Sequence, residues 1–123
     1  VHADVRAYCH SRPNTICMTH MSHVYPQGAN LYFIFLAKMS SLEEFKAYHA
    51  GILDAIQKSG AAMSHHHGIG KMFGPWLEGA VGRNEYGVIR ALKQYFDPDN
   101  IMNPGGTLGL DVPQEEKRFL KAL

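Results

Sequence analysis

The sequence predicts an α+β fold in which a mainly antiparallel sheet packs against helices. Three observations support this prediction. Two β-tolerant segments flank a turn at Pro26-Gln27-Gly28, a capping box at Ser41-Leu42-Glu43-Glu44 opens a long amphipathic helix, and further helical segments follow in the C-terminal half. The predicted order is therefore β-β-α-β-α-α between a short helical start and a helical tail.

The two strands beside the turn form a predicted hairpin. Residues 15–25 are mostly β-tolerant, and residues 30–38 are apolar on both faces. Such an apolar strand is typical of a central position in a sheet that is covered on both sides. A short extended run over residues 61–64 is predicted as a further strand that carries the following histidines to the sheet.

Five helical segments are predicted around the hairpin. Their apolar positions recur at spacings of three and four, and proline or glycine marks several of their ends. They cover residues 1–10, 40–59, 75–81, 84–96 and 113–123, with Gly60 after the second and Gly82 after the third. In the helix over 84–96 we expect the inward side chains to be Tyr86, Ile89, Leu92 and Tyr95 or Phe96.

Length and composition predict one globular domain. The chain has 123 residues, of which 46% are hydrophobic and 19% charged, with a net charge of +1. This balance argues against a disordered chain and gives no argument for a nucleic-acid partner. The two cysteines predict a reduced thiol pair in the cytoplasm. Because the chain opens at Val1 in what resembles a helix interior, we expect it to be a piece of a longer protein.

Titratable chemistry concentrates in the stretch Ser64-His65-His66-His67-Gly68-Ile69-Gly70-Lys71. Three interpretations stay open on the residues alone. The imidazoles could exchange protons or polarise a substrate oxygen while the glycines admit a flat ring, or they could be buried and structural. They could also bind zinc: in an extended chain His65 and His67 share a face and His66 does not, so a third ligand from His20, His23 or an acid would be needed.

A second candidate residue is Tyr32, which lies in the apolar strand. If it is buried, its hydroxyl needs a hydrogen-bond partner. It is therefore either a core tyrosine bonded to a carbonyl group or a residue that faces a site.

The segment Lys93-Gln94-Tyr95-Phe96-Asp97-Pro98-Asp99-Asn100-Ile101-Met102-Asn103-Pro104-Gly105 resembles the closing signature of the FAD-linked oxidases of the vanillyl-alcohol-oxidase type. Many members carry Glu-His-Gly-Ile-Gly upstream, where this chain has His66-His67-Gly68-Ile69-Gly70. The histidine in place of the glutamate resembles one branch of this family, the alkyldihydroxyacetonephosphate synthases. The dipeptide Trp76-Leu77 and the segment over 24–33 are similar to the same branch. The resemblance covers about residues 15–108.

The resemblance implies a function and a set of site residues. The function is ether-lipid synthesis, in which a fatty alcohol replaces an acyl group through an adduct at flavin N5. Tyr32 is the implied acid/base, the three histidines His65, His66 and His67 lie near it and are required, and the residues implied to face FAD are Gly68, Gly70, Asn103, Pro104 and Gly105. The segment 104–108 is implicated as well, although the Asn-Arg-Asn of the family is absent there. FAD itself would be bound mainly by an upstream domain that this chain does not contain.

The remaining expectations concern organisation and partners. Residues 1–108 are predicted to be part of the cap domain and residues 109–123 a helical tail. The resemblance implies a small-molecule or lipid substrate and a homodimer, and it is compatible with peripheral membrane contact. The charge balance predicts no nucleic-acid partner, and the two cysteines predict a cytoplasmic protein. Two alternatives stay open: an FAD-linked oxidoreductase that oxidises a 2-hydroxy acid or related alcohol, and a non-enzymatic His-rich metal-binding module.

Overall fold

The computed structural model describes residues 1–106 and 108–119, which form two compact units divided between residues 61 and 62. The first unit contains α1 (His2–His10), β1 (Ile16–Tyr25), β2 (Gly28–Leu36) and α2 (Leu42–Lys58). The second contains α3 (Gly70–Val81), α4 (Arg83–Phe96) and a 3-10 turn over Gln114–Glu116. The predicted α+β class is confirmed, and the sheet is antiparallel.

None of the helices in the described part of the chain combines the length and the apolarity needed to cross a bilayer.

The hairpin presents one face to the core of the first unit and the other face outward. Cys17 pairs with Phe35 on the inner face, and the next pair, Met18 with Ile34, lies on the outer face because side chains alternate along a strand. Met18 and Ile34 are 46% and 49% exposed. The expectation of a central strand covered on both faces is therefore wrong for the described part of the chain, where β1 is the one neighbour of β2.

Helices α1 and α2 cover the inner face of the hairpin. The core that they share with it consists of Val5, Cys9, Cys17, Tyr48 and Ile52. Both cysteines are free thiols, and the Tyr48 hydroxyl donates a hydrogen bond of 2.9 Å to the Cys9 carbonyl oxygen. At Gly51 the hydroxyl oxygen of Tyr8 lies 1.9 Å from where a Cβ would be, so the tyrosine occupies the space that a side chain would need.

The ends of α2 follow the sequence prediction. The Ser41 side chain accepts a hydrogen bond of 3.1 Å from the Glu44 backbone N–H, as an N-cap should. The Glu44 carboxylate in turn accepts the N–H of Ser40, and this bond together with the Arg12 guanidinium lowers the pKa of Glu44. Gly60 follows the helix with φ of +74°, the left-handed conformation that a glycine adopts most easily.

Helix α3 begins at Gly70 rather than at Pro75, so the predicted start is wrong. Pro75 lies inside the helix and has no N–H to donate to the carbonyl oxygen of Lys71. The residue before a proline usually leaves the helical region because the proline ring contacts its Cβ. Here that residue is Gly74, which has no Cβ, and the helix continues through the proline.

The tail packs along α3. A Cβ on Gly74 would lie 2.9 Å from the Gly109 Cα, so the two backbones approach closely. Further along, the N–H of Arg118 donates a hydrogen bond of 2.8 Å to the Pro75 carbonyl oxygen, and the Lys117 ammonium lies 2.8 Å from the Glu78 carboxylate.

Three further predictions need correction. Residues 61–64 form no strand, because they straddle the boundary between the units and pair with neither strand of the hairpin. In α4 only Tyr86 is buried, whereas Leu92, Tyr95 and Phe96 are exposed, because α3 and the tail contact a narrow part of that helix. In the described part of the tail, the predicted terminal helix is a single 3-10 turn. The backbone at Lys117 is extended and ends this turn, and the Lys117 side chain contacts Glu78. Residues 120–123 lie outside the described residues.

Candidate functional site

The first group of candidate residues lies on the outer face of the hairpin. Tyr32 on β2 pairs directly with His20 on β1, and their ring centroids are 5.9 Å apart with the planes inclined by 31°. The neighbouring cross-strand pair on this face is Met18 with Ile34. Tyr32 is half-buried, and it does not belong to the core that the inner face makes with α1 and α2.

This position bears on the two interpretations of Tyr32. A core tyrosine of the first unit would lie on the inner face, as Phe33 and Phe35 do. Tyr32 alternates with them and projects from the opposite face. The geometry therefore removes the reason to regard Tyr32 as a core residue of this unit, and its implied acid/base role stays a prediction.

The strand β1 departs from regular pairing beside these residues. The register shifts between Ser22 and Val24, so His23 is the extra residue of a bulge, with φ of +50°. Its Nδ1 lies 2.9 Å from the Ser22 hydroxyl oxygen. Bulges increase local twist and re-aim side chains, and they occur often beside functional sites.

The second group is the His-Gly segment, residues 64–71, in the second unit. All three imidazoles are exposed, and consecutive rings contact one another. The ring centroids of His65 and His66 are 4.7 Å apart, and those of His66 and His67 are 4.3 Å apart. The alternation expected of an extended chain is absent, so the argument that separated His66 from its two neighbours does not apply.

The facing nitrogens of His65 and His66 restrict the protonation of this pair. Their Nδ1 atoms lie 2.6 Å apart, a hydrogen-bond distance in which one nitrogen must donate and the other accept. The rings can therefore form this hydrogen bond only in a tautomer combination in which one Nδ1 atom carries hydrogen and the other does not.

The glycines that follow the histidines adopt left-handed backbone conformations, which glycine favours. Gly68 and Gly70 have φ of +82° and +55°, and a Cβ at either position would meet no atom within 4 Å. Open space therefore lies beside both residues, so a ligand ring could approach the backbone there. The contact of Gly68 and Gly70 with FAD stays a prediction.

The Lys71 side chain joins the His-Gly segment to the Asp97–Gly106 loop of the same unit. Its Cε and Nζ atoms both lie 3.8 Å from the position that a Cβ on Gly105 would occupy. The two motifs that the sequence analysis selected in the C-terminal half are therefore neighbours in the structure. Sequence inspection noted Lys71 without assigning it a contact, because nothing in the local pattern shows which loop packs on the start of α3.

Asp97 organises that loop. Its carboxylate accepts the Lys93 ammonium and the N–H groups of Ile101 and Met102, the last two at 2.8 and 2.9 Å. The Lys93 hydrogen bond and the two backbone bonds lower the pKa of Asp97 from its ordinary value. The Lys93 ammonium also donates to the Met102 carbonyl oxygen at 2.8 Å.

Residues Asn103–Gly106 form a type II turn. Pro104 is in its second position, Gly105 is in the third with φ of +71°, and the Gly106 N–H donates to the Asn103 carbonyl oxygen at 3.1 Å. The Gly105 N–H donates to the Asp111 carboxylate at 2.7 Å. The N–H groups of Gly105 and Gly106 are thus used within the unit, and Pro104 has none, so this turn can form a wall beside a ligand rather than an amide cradle. Thr107, one of the implicated residues, lies outside the described part of the chain.

Sequence inspection did not assign a structural role to Asp97, Lys93 or Asp111. The signal for Asp97 was available, since Asp-Pro after a helix is a common stop and a free carboxylate there can accept the following N–H groups. Asp111 lies six residues from the N–H that it accepts, and no local rule predicts that contact.

Comparison with known proteins gives one family and several relatives. The family described as FAD linked oxidases, C-terminal domain, matches residues 1–107. An alkyldihydroxyacetonephosphate synthase of Dictyostelium discoideum is 39% identical over 75% of this chain and 15% of its own length. An uncharacterized FAD-linked oxidoreductase of Escherichia coli is 34% identical over 78% of the chain and 21% of its own length.

A second alkyldihydroxyacetonephosphate synthase, from Trypanosoma brucei brucei, is 33% identical over 84% of the chain and 17% of its own length. The chain thus spans about a fifth or less of the length of these curated relatives. No solved structure matches the chain.

Proposed function

The chain belongs to the family of FAD linked oxidases, C-terminal domain, and on this basis we propose that it is part of an FAD-dependent enzyme that exchanges an acyl group for a fatty alcohol in ether-lipid synthesis. In this proposal Tyr32 is the acid/base, and His65, His66 and His67 are required for the same reaction. The observation that carries the proposal is the cluster of three contacting, exposed imidazoles in front of two glycines.

The residues of the second unit partly fit the isoalloxazine ring of FAD. The open space beside Gly68 and Gly70 suits the approach of a flat ring, and the Asn103–Gly106 turn offers a wall in which the Gly105 and Gly106 N–H groups are already bonded. Neither stretch offers a phosphate-binding loop, so the pyrophosphate would be bound by an upstream domain of the same protein. When bound, FAD supplies an electrophilic ring able to accept electron density from a reacting carbon.

The residues of this chain supply proton transfer in the proposal. A phenol with an ordinary pKa near 10 exchanges a proton slowly at neutral pH unless a base assists it, and imidazoles titrate near neutrality. Tyr32 projects from the outer face of the hairpin, opposite to the core of the first unit. In this proposal the contacting imidazoles of His65 and His66, whose Nδ1 atoms lie 2.6 Å apart, assist that proton transfer.

The proposal extends to partners. It includes a lipid or small-molecule substrate, an upstream FAD-binding domain, a homodimer and peripheral contact of the whole protein with a membrane. It includes no nucleic-acid partner, because the net charge is +1 and basic residues are not clustered.

The test is an exchange assay with the FAD-loaded protein of which this chain is the proposed C-terminal part. Acyl-dihydroxyacetonephosphate and a labelled fatty alcohol should give the labelled alkyl product with no net bleaching of the flavin. Tyr32→Phe should abolish turnover and retain the flavin. Full turnover in Tyr32→Phe would contradict the acid/base role, and a protein that binds no flavin would contradict the proposal as a whole.

A second candidate function is oxidation of a 2-hydroxy acid or related alcohol with transfer of a hydride to FAD. The observation that favours it is the similarity to the FAD-linked oxidoreductase of Escherichia coli. Anaerobic addition of 2-hydroxy acids distinguishes the two functions, because the oxidoreductase would lose its flavin absorbance and the exchange enzyme would not.

A further inference from the structure

We propose that His20 is the residue that positions Tyr32 for catalysis. The proposal rests on the acid/base role of Tyr32 in the proposed function and adds a residue to it. It departs from the sequence analysis, which considered His20 only as a metal ligand.

The first step is the cross-strand contact. His20 and Tyr32 are direct partners in the β1–β2 register, and their rings lie 5.9 Å apart at the centroids with a shallow inclination of 31°. This separation is within the range over which aromatic rings attract one another. Directly opposed side chains on one face of an antiparallel pair are close enough to stabilise one another.

The second step is the location of the pair. Both residues lie on the face of the hairpin opposite to the core, and His20 is exposed. The His20 ring supplies an orienting contact for Tyr32 on that face.

The third step is the end of the strand. Beyond His20 the ladder departs from regular pairing at the His23 bulge, whereas before it the apolar pair Met18 and Ile34 continues the regular register. The His20–Tyr32 pair therefore lies between a regular part of the ladder and a bulge that increases twist. A planar side chain at position 20 holds the tyrosine ring in one orientation at this transition.

The test compares His20→Ala with His20→Phe, which retains a planar ring, in the FAD-loaded protein. His10→Ala is the control, because His10 is an exposed histidine in the last turn of α1. We expect His20→Ala to lower kcat about two- to fivefold, the effect of losing one cross-strand aromatic pair, with KM unchanged. His20→Phe should restore kcat, and His10→Ala should leave both constants unchanged.

A second measurement is independent of turnover. In the 123-residue chain, nuclear Overhauser contacts should connect the ring protons of residues 20 and 32 in the wild type and in His20→Phe. The Tyr32 ring shifts should change in His20→Ala and not in His10→Ala. Because Tyr32→Phe retains the ring, the same contacts should be present in that variant, whether or not Tyr32 carries out the chemistry.

The outcomes separate the two proposals. Absence of the ring contacts, or a kcat in His20→Phe as low as in His20→Ala, would overturn the positioning role while the effect of Tyr32→Phe still supports the proposed function. An active Tyr32→Phe variant would overturn the acid/base role, and the positioning role with it, even where the ring contacts are observed.

Discussion

Two glycines inside helices should respond in opposite directions to the same substitution. Gly51 lies in the middle of α2 and Gly87 in the first half of α4. Alanine at either position raises helix propensity by about 1 kcal/mol. A Cβ on Gly87 meets no atom within 4 Å, so we expect Gly87→Ala to raise the free energy of unfolding by about 1 kcal/mol.

Gly51→Ala adds a steric cost. The new Cβ would lie 1.9 Å from the Tyr8 hydroxyl oxygen and 2.1 Å from its Cζ, so the whole ring has to move. The Tyr48 ring lies beside the Tyr8 ring, with centroids 5.5 Å apart, and restricts that movement. Overpacking of this kind costs about 1–3 kcal/mol, so after the propensity gain we expect a net loss of up to about 2 kcal/mol.

Urea denaturation followed by far-ultraviolet circular dichroism gives the two free energies, and hydrogen exchange of the α2 amides assigns the Gly51 effect to the first unit. A double-mutant cycle provides the control: in a Tyr8→Ala background, Gly51→Ala should become stabilising by about 1 kcal/mol. If Gly51→Ala alone stabilises the chain as much as Gly87→Ala, the Tyr8 ring does not occupy the space beside Gly51 and the reasoning fails.

Two further predictions concern the second unit. Lys117→Met leaves the Glu78 carboxylate, whose side chain is 11% exposed, without its ammonium partner, and should lower the free energy of unfolding by about 3–5 kcal/mol. The double variant Lys117→Met with Glu78→Leu should recover most of that loss in the same urea assay. A loss below about 1 kcal/mol in the single variant would show that the pair is not buried in solution. Asp97 has a lowered pKa, so its contribution to stability is complete above its ordinary value of 3.8 and is lost as the pH falls through the lower pKa of the folded state. The urea midpoint should therefore fall with pH below about 4, and Asp97→Asn should flatten that dependence; an unchanged slope in the variant would contradict the hydrogen bonds assigned to the carboxylate.

Local signals in the sequence were sufficient for the hairpin and for α2. The turn at Pro26–Gly28, the Ser41 cap and the left-handed Gly60 each depend on the conformational preference of one or two residues, and that preference is the same in any fold. The Pro75 prediction failed for a related reason, because the rule that places proline at a helix start does not include the effect of a glycine before it.

Long-range contacts were not predictable from the sequence. The apolar positions Leu92 and Phe96 show that α4 is amphipathic, but periodicity does not say how much of the apolar face a neighbouring element covers. The same applies to Tyr32, because an apolar strand does not identify which face meets the core. Its outward position and its contact with His20 depend on the register, which only the structure gives.

The contact between Gly74 and Gly109 constrains how this sequence can evolve. A Cβ on Gly109 would lie 2.3 Å from the Gly74 carbonyl oxygen, and one on Gly74 would lie 2.9 Å from the Gly109 Cα, so any side chain at either position meets backbone atoms. Backbone cannot swing aside as a flexible side chain can, so replacing one glycine does not make room for replacing the other. The similarity to the family ends at residue 107, two residues before this contact. A related sequence that retains α3 as it is here must therefore also retain Gly109. This glycine lies outside the residues that match the family, so family similarity alone does not require a glycine there.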